Sequence, residues 1–261
     1  MNNYLKSYLE VSPLSHALWR ACEARSLENI KLKRPILDLG CGFGEFAGVF
    51  YNSSIEMGID NSSVDLEKAK AIRKYKKLIL ADAKQMPFNN CSFKTVLSVS
   101  VIEHISHTKQ VLKEVYRVLS EDGLFVFTTP HKNFAKWLFY PRLLRFFGLE
   151  KLAQKYEQGI NRVFKHYSLY DELEWKRMLI KQGFKIEKIQ PNIGENIAML
   201  WDLGLLFAFP SQLTKSIFGR RLLFSPQFRI NVLNKIFSSY VNKKVKGRAC
   251  NLLIVARKSS C

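Results

Sequence analysis

The sequence predicts an α/β fold, a doubly wound seven-stranded sheet of mostly parallel strands with helical insertions. Short apolar runs alternate with helical patterns through the first half of the chain, which is typical of βαβ units. Two more strand-like runs follow in the second half. A chain of 261 residues with 47% hydrophobic content can bury one large core and is short for two. We therefore expect a single domain spanning residues 1–261.

Each strand is predicted from a short apolar run bounded by polar or turn residues. In the second half these runs are "FKIEKIQP" at 184–191, which Pro191 should close, and "CNLLIVARK" at 250–258. Open α/β sheets bind ligands at the carboxyl ends of their strands, so a site is expected there. The five strands of the first half are Ile36–Leu39, Ile55–Ile59, Leu78–Ala81, Thr95–Val99 and Leu124–Thr128.

Two helices have clear signals. Residues 107–119 carry apolar side chains at a 3.6-residue period, and Gly123 follows in the next turn. A second helix is predicted to run to Gln182, with Ser168 and Asp171 as a capping-box-like start. Residues 131–166 and 192–248 do not fit the alternation and are longer than ordinary connections. We expect these two insertions to carry function or an interface.

The positive charge is concentrated in the second half of the chain. The net charge is +19; residues 1–130 contain 17 Lys and Arg against 14 Asp and Glu, and residues 131–261 contain 24 against 8. No acidic residue occurs from Leu203 to Cys261. This half of the protein should therefore be attracted to an anionic partner.

The stretch "ILDLGCGFGEF" (36–46) places a glycine-rich turn between a strand and a helix. Such a turn lets a ligand approach the backbone. A dinucleotide fingerprint would need glycine or alanine where Glu45 stands, and a pyrophosphate would meet the carboxylates of Asp38 and Glu45. The pattern therefore favours a nucleoside-like ligand that is partly cationic.

These residues resemble the class I S-adenosylmethionine-dependent methyltransferases, in particular the branch related to ubiquinone and menaquinone methyltransferases. The resemblance covers residues 35–130 and "HYSL" at 166–169, and it implies a Rossmann-like fold and S-adenosylmethionine as cofactor. It carries the family pattern "LDxGCGxG" on residues 37–44 and an acidic residue, Asp60, 22 positions after Asp38. The segment "LADAKQMPF" matches the family's segment beside adenine.

The resemblance implies a role for each matched residue. Asp38 would lie near the methionine amino group, Asp60 would accept hydrogen bonds from both ribose hydroxyls, and Asp82 would bond the exocyclic amine of adenine. Singly, each could be a turn or capping residue; together they form one pocket. The predicted cofactor-binding residues are Asp38, Gly40, Gly42, Gly44, Asp60, Asn61, Asp82 and Ala83.

Methyl transfer to a hydroxyl also needs a base, and three histidines and one glutamate follow strands at the same edge. His131 is the first choice; His104, His166 and Glu103 are the other candidates, since an imidazole titrates near neutrality. Glu103 and His104 could instead brace the loop below the cofactor. Related quinone O-methyltransferases hold a divalent metal with an acid where this chain has Ser100, so no metal site is predicted.

Two segments combine aromatic and basic residues. "NFAKWLFYPRLLRFFGL" occupies 133–149, and an apolar run extends over 197–209, too short and too polar at Asp202 to cross a membrane. Either segment could lie in the headgroup plane of an anionic membrane, form a lid with its own core, or contact RNA.

We therefore expect an enzyme that methylates oxygen on a lipid, a lipid-linked glycan or a prenylated aromatic at the cytoplasmic membrane face. The alternatives are an RNA methyltransferase, which the absence of "NPPY" and Pro-Cys motifs disfavours, and a cofactor-binding accessory protein without activity. Five cysteines without CxxC spacing and the lack of a signal-like start favour the cytoplasm.

Overall fold

The structure is a computed structural model that describes residues 2–205, 227–245 and 247–259. Its helices are α1 (Tyr4–Val11), α2 (Leu14–Leu27), α3 (Glu45–Phe50), α4 (Ser63–Ile72), α5 (Thr108–Val118), α6 (Phe139–Phe146), α7 (Glu150–Val163), α8 (Glu172–Lys181), α9 (195–205) and α10 (Gln227–Asn242). Its strands are β1 (Ile36–Leu39), β2 (Ile55–Asp60), β3 (Tyr75–Leu80), β4 (Phe93–Val99), β5 (Leu119–Pro130), β6 (Phe184–Gly194) and β7 (Ala249–Lys258).

The strands form one seven-stranded sheet in the order β3-β2-β1-β4-β5-β7-β6. Strands β1 to β5 pair in parallel, and β7 runs antiparallel to β5. Asp38 is paired with Gly58 on one side and with Leu97 on the other, so β1 lies at the middle of the parallel part. The predicted fold class is confirmed.

Several strand boundaries differ from the prediction. β5 begins at Leu119, five residues before the predicted start, so Gly123 lies inside this strand and not in a turn. β3 begins at Tyr75, three residues before the predicted start. β6 continues through Pro191 to Gly194, so the expectation that Pro191 closes this strand is wrong. β6 is an edge strand, and at a sheet edge a residue without an N–H can be accommodated.

The start of α8 also differs from the prediction. The capping box is formed by Asp171 and Glu174: the Asp171 carboxylate accepts from the Glu174 N–H at 2.8 Å, and the Glu174 carboxylate accepts from the Asp171 N–H at 2.8 Å. Ser168 takes no part in the cap, because its hydroxyl donates to the Ile105 carbonyl at 2.9 Å. The helix therefore begins three residues later than "HYSL" suggests.

The chain divides into two compact units. The sheet unit consists of Asn29–Lys132, Phe164–Gln190 and Asn251–Cys261. Its core contains large side chains from β5 and α8, such as Phe125, Phe127 and Trp175, all fully buried. Phe127 and Trp175 pack edge to face with ring centroids 4.9 Å apart. This packing holds α8 against the sheet.

The helical unit consists of Met1–Glu28, Asn133–Val163 and Pro191–Cys250. Three aromatic residues from distant parts of the sequence form its core: Trp19 lies 6.0 Å from Phe134 and 5.6 Å from Trp201, measured between ring centroids. The described part of the apolar run, with Trp201 and Asp202 buried, packs inside this unit. The rest of the run, residues 206–209, lies outside the described residues. A single domain with two insertions stays a prediction.

Candidate active site

A pocket of about 350 Å³ lies at the carboxyl edge of the parallel strands in the sheet unit. Its walls follow β1, β2, β3 and β4. Five of the eight predicted cofactor residues line it: Gly40, Asp60, Asn61, Asp82 and Ala83. His104 also lines it, together with the apolar side chains of Ile59 and Val101. Asp38, Gly42 and Gly44 are not among the residues that line it.

The glycine turn is closely packed at Gly40. Its φ is +78°, its N–H donates to the Ile59 carbonyl at 2.8 Å, and a Cβ built there would lie 2.2 Å from Val101 Cγ1. Gly44 begins α3 with a φ of +79°, and a Cβ there would approach the Ala69 Cα to 3.3 Å. Both positions require a residue without a side chain. This explains part of the glycine spacing by packing alone.

Asp60 links the glycine turn to the start of α4. One of its carboxylate oxygens accepts from the Gly42 N–H at 2.8 Å and the other from the Ser62 N–H at 2.9 Å. A carboxylate offers about four acceptor positions, so each oxygen retains one for a further donor. Two adjacent hydroxyls, as on a ribose, would fit this arrangement.

Asp82 is the second carboxylate of the pocket. Its Oδ1 accepts from the Lys84 N–H at 2.8 Å, and its Oδ2 lies 3.4 Å from the Lys84 ammonium. Lys84 also lines the pocket, and sequence reasoning missed it. Because about half of the Asp82 side chain is exposed, this ion pair is screened by water and leaves the carboxylate able to accept from a ligand amine.

Asp38 is buried and bonded to a residue that the sequence analysis missed. The Tyr75 hydroxyl donates to Asp38 Oδ2 at 2.7 Å. Burial and the Asp38 carboxylate hold the pKa of Tyr75 far above its usual range, so the hydroxyl keeps its proton and remains a donor. A glycine inside a strand, Gly58, was the available sequence signal for this close approach.

The pocket therefore suits a cationic nucleoside. Burial, followed by the charges of Asp38 and Asp60, raises the pKa of the Cys41 thiol, which stays protonated and adds no charge. Carboxylates with free acceptor positions favour a ligand carrying sulfonium and ammonium groups, and the volume is within the ~300–1,000 Å³ usual for ligand sites. These residues fit S-adenosylmethionine.

Three of the four candidate bases form one cluster. The His104 and His166 rings stack with centroids 5.4 Å apart, and Glu103 Oε1 lies 3.9 Å from His104 Nε2. Glu103 is 1% exposed, and its backbone carbonyl accepts from the N–H groups of Tyr167 and Ser168. Burial, and then the neighbouring His104, lower the pKa of His166 to about 4. His166 is therefore neutral at pH 7 and a weak base.

His131, the first choice, lies in a second cluster directly after β5. It is buried, and its Nε2 lies 3.4 Å from Glu172 Oε2. Burial lowers its pKa, while the Glu172 and Asp171 carboxylates oppose that shift. A carboxylate beside a histidine orients the ring and stabilises its protonated form, as in nucleophile–base pairs of known enzymes. The sequence analysis did not identify Glu172; its place three residues after "HYSL" was the only signal.

Ser100, where related quinone O-methyltransferases carry a metal-binding acid, lies in the loop after β4. Ser100 has a φ of +52°, and its N–H donates to the Thr128 carbonyl and hydroxyl at 3.2 and 3.1 Å. Within residues 2–205, 227–245 and 247–259, no group of three or more His, Cys, Asp or Glu side chains is placed to hold a metal ion.

Comparison with known proteins agrees with the pocket. Residues 37–127 match the family described as "Methyltransferase domain". An uncharacterised protein of Methanocaldococcus jannaschii is 32% identical over 58% of this chain and 61% of its own length. The ubiquinone/menaquinone biosynthesis C-methyltransferase of Campylobacter jejuni is 30% identical over 41% of this chain and 50% of its own length. The chain thus spans less than two thirds of these relatives.

Solved structures share the fold across nearly the whole chain. A Thermotoga maritima S-adenosylmethionine-dependent methyltransferase, described as a possible histamine N-methyltransferase, superposes with a TM-score of 0.61 at 18% identity. The alignment covers 94% of this chain and 92% of that one. At this identity the likeness concerns the fold alone.

The fold and the pocket agree with the class I S-adenosylmethionine-dependent methyltransferases that the sequence resembles. Residues 37–127, which match the methyltransferase-domain family, include the glycine turn, Asp60 and Asp82. The predicted class and the predicted cofactor, S-adenosylmethionine, are confirmed. The roles given to the individual site residues stay predictions.

Proposed function

We propose that this protein transfers the methyl group of S-adenosylmethionine to an oxygen of a lipid, a lipid-linked glycan or a prenylated aromatic at a membrane surface. The observation that carries the membrane part is an exposed apolar patch in the helical unit. We define the patch by five residues of α6, α7 and the turn between them: Leu143, Phe146, Phe147, Leu149 and Leu152.

The patch is unusual in its exposure. Phe146 is 81% exposed and Phe147 is 65% exposed, with ring centroids 5.3 Å apart. Two phenylalanines so open to water cost hydrophobic free energy that contact with acyl chains would recover, about 1.5–3 kcal/mol for each side chain fully buried. An apolar patch of this kind marks an interaction site.

The charges around the patch favour an anionic surface. Arg145 is neutralised by Glu150 and Glu157, at 3.0 and 2.6 Å. Lys151 and Lys155 on α7 are exposed, and neither has an ion pair within the part of the chain that the structure describes. Lys155 shares a helix face with Leu152, three residues earlier. Exposed aromatics flanked by lysine are typical of helices that lie at an anionic lipid surface.

No helix within the described ranges is both long and apolar enough to span a bilayer. We propose membrane contact for the patch, through partial burial of its side chains.

Methyl transfer requires mainly that the acceptor oxygen is aligned with the methyl group of the cofactor. S-adenosylmethionine supplies a methyl group already activated by the sulfonium. The protein's part is to hold the acceptor in line and to accept the hydroxyl proton. We assign the proton acceptance to His131, whose Nε2 lies 3.4 Å from Glu172 Oε2.

Vesicle flotation tests the membrane part. The protein should float with vesicles of phosphatidylcholine and phosphatidylglycerol and less with phosphatidylcholine alone. Phe146→Ser with Phe147→Ser should reduce binding by at least roughly tenfold, because two buried rings are lost. Phe228→Ser is the matched control, since Phe228 is 79% exposed on α10, outside the patch. Salt-sensitive RNA binding without vesicle binding would instead support RNA as acceptor.

Transfer of labelled methyl tests the activity. The protein is incubated with labelled S-adenosylmethionine and a lipid extract, and label should enter a chloroform-soluble product. Asp60→Asn should abolish the transfer. Cofactor binding without label in any lipid, glycan or RNA fraction would contradict catalysis and favour the accessory role.

A further inference from the structure

A second cavity, of about 440 Å³, lies wholly within the helical unit. Its walls come from α2, the end of β6, the first turn of α9 and the end of α10. None of the residues predicted from the methyltransferase pattern lines it, and the proposed methyl transfer does not use it.

A buried polar side chain belongs to this cavity. Asn192 is 7% exposed and lines the wall. Its Nδ2 donates to the Ser26 hydroxyl at 3.4 Å, but its Oδ1 has no hydrogen-bond partner among the described residues. A buried acceptor without a partner costs about 1–3 kcal/mol. A ligand hydroxyl donating to Oδ1 would remove that cost.

Another part of the cavity wall is positively charged. Lys243 and Lys244, directly after α10, both line the cavity, and neither has an ion pair among the residues that the structure describes. The end of β6 and the first turn of α9 contribute Gly194 and Asn196 to the wall.

The other titratable groups do not cancel this charge. Burial, and then Glu23, raise the pKa of the Cys22 thiol to about 12, so the thiol is neutral. Glu195, in the first turn of α9, pairs with Arg142 at 2.8 Å. The cavity therefore combines two lysines with one buried hydrogen-bond acceptor.

We propose that this cavity binds a phosphate ester that carries a free hydroxyl, with the phosphate at Lys243 and Lys244 and the hydroxyl on Asn192 Oδ1. The volume is in the range of small-molecule sites and exceeds what a phosphate ion alone needs. Such an ester can be a free metabolite or the headgroup of a phospholipid, and the two sources share this chemistry.

Calorimetry with four probes tests the site: glycerol 3-phosphate, inorganic phosphate, glycerol, and dihexanoyl phosphatidylglycerol below its micelle concentration. Glycerol 3-phosphate should bind more tightly than inorganic phosphate, and glycerol should not bind. Comparable binding of the short-chain lipid would identify a phospholipid headgroup as the source, whereas binding of glycerol 3-phosphate alone would identify a soluble ester. Absence of binding by both phosphate esters would overturn the proposal.

Variants locate the binding. Lys243→Gln with Lys244→Gln should weaken glycerol 3-phosphate binding by roughly tenfold or more, since charge-assisted hydrogen bonds are lost. Both lysines are exposed, so the variant should fold, which its circular dichroism checks. Lys235→Gln, on α10 but outside the cavity, is the matched control. Equal affinity of the double variant and this control would also overturn the proposal.

Asn192→Leu distinguishes recognition of the ligand hydroxyl from recognition of its phosphate. It should reduce the preference for glycerol 3-phosphate over inorganic phosphate while leaving phosphate affinity unchanged. An unchanged preference would remove Asn192 from the site. Methyl-transfer activity is not measured in any of these experiments, so their failure and a failure of the proposed function are distinguishable.

Discussion

Tyr75 on β3 donates a 2.7 Å hydrogen bond to Asp38 on β1, across the intervening strand β2. Gly58 of β2 makes this reach possible, because a Cβ there would lie 2.8 Å from the Tyr75 ring. The buried carboxylate predicted to meet the cofactor's amino group is therefore held by a tyrosine from two strands away.

Tyr75→Phe should lower the free energy of unfolding by about 1–3 kcal/mol, because the buried Asp38 carboxylate loses a donor. Gly58→Ala should destabilise the protein as well, since the Tyr75 ring must move. Urea denaturation measures both. Tyr167→Phe is the control, because Tyr167 is 65% exposed. Equal stability of the Tyr75 and Tyr167 variants would contradict the importance of the bond.

Gly40→Ala should abolish cofactor binding, whereas Gly148→Ala should cost only backbone strain, ~1–3 kcal/mol. Both glycines have positive φ, +78° and +72°, but a Cβ on Gly40 would lie 2.2 Å from Val101 while Gly148 has open space around it. Adding Val101→Ala to Gly40→Ala should restore part of the lost stability. Calorimetry with S-adenosylmethionine and thermal unfolding separate the two effects. No recovery in the double variant would show that strain alone accounts for the loss.

Much of this arrangement follows from local sequence and the rest does not. The strand that carries Asp38, the glycine turn and the places of Asp60 and Asp82 were predictable, because each depends on a short pattern at a strand end. Tyr75 and Glu172 were missed, since their partners are 37 and 41 residues away in the sequence. The sequence pattern does not determine such long-range contacts.

The aromatic segment at 133–149 shows the same limit. Its composition is similar throughout, yet Phe134 is 2% exposed in the core of the helical unit and Phe146 is 81% exposed. Phe134 is buried because it packs against Trp19 and Trp201. Phe146 is exposed at the end of α6. Composition alone could not divide the segment into a core part and an exposed part.

The His131 pair predicts a dependence on pH. Burial lowers the pKa of His131 and Glu172 opposes it, so Glu172→Gln should lower that pKa further. In the proposed mechanism the neutral imidazole accepts the hydroxyl proton, so activity should fall on acidification, and the midpoint of this pH dependence should move to lower pH in the variant. Histidine titration by NMR measures the pKa directly, with Glu187→Gln, which loses the partner of Arg257, as control. An unchanged His131 pKa in Glu172→Gln would contradict the proposed effect of Glu172 on His131.

His166 predicts a loss of stability in acid. Its pKa is about 4 in the folded protein and ~6.5 in an unfolded chain, so the unfolded state binds the extra proton first. Its contribution is fully present above pH ~6.5 and is lost as the pH falls towards 4. The lowered pKa of the buried His131 has an effect on stability in the same direction, and this effect should remain in any variant of His166.

His166→Gln should therefore reduce, without abolishing, the change in urea midpoint between pH 7 and pH 5. His107→Gln is the control, because His107 is exposed. His104→Gln gives an independent check: it removes the neighbouring imidazole that lowers the His166 pKa, so that pKa should rise and the acid sensitivity should shrink. If the pH dependence of stability were identical in His166→Gln and the unaltered protein, the lowered pKa of His166 would not contribute to the loss of stability in acid.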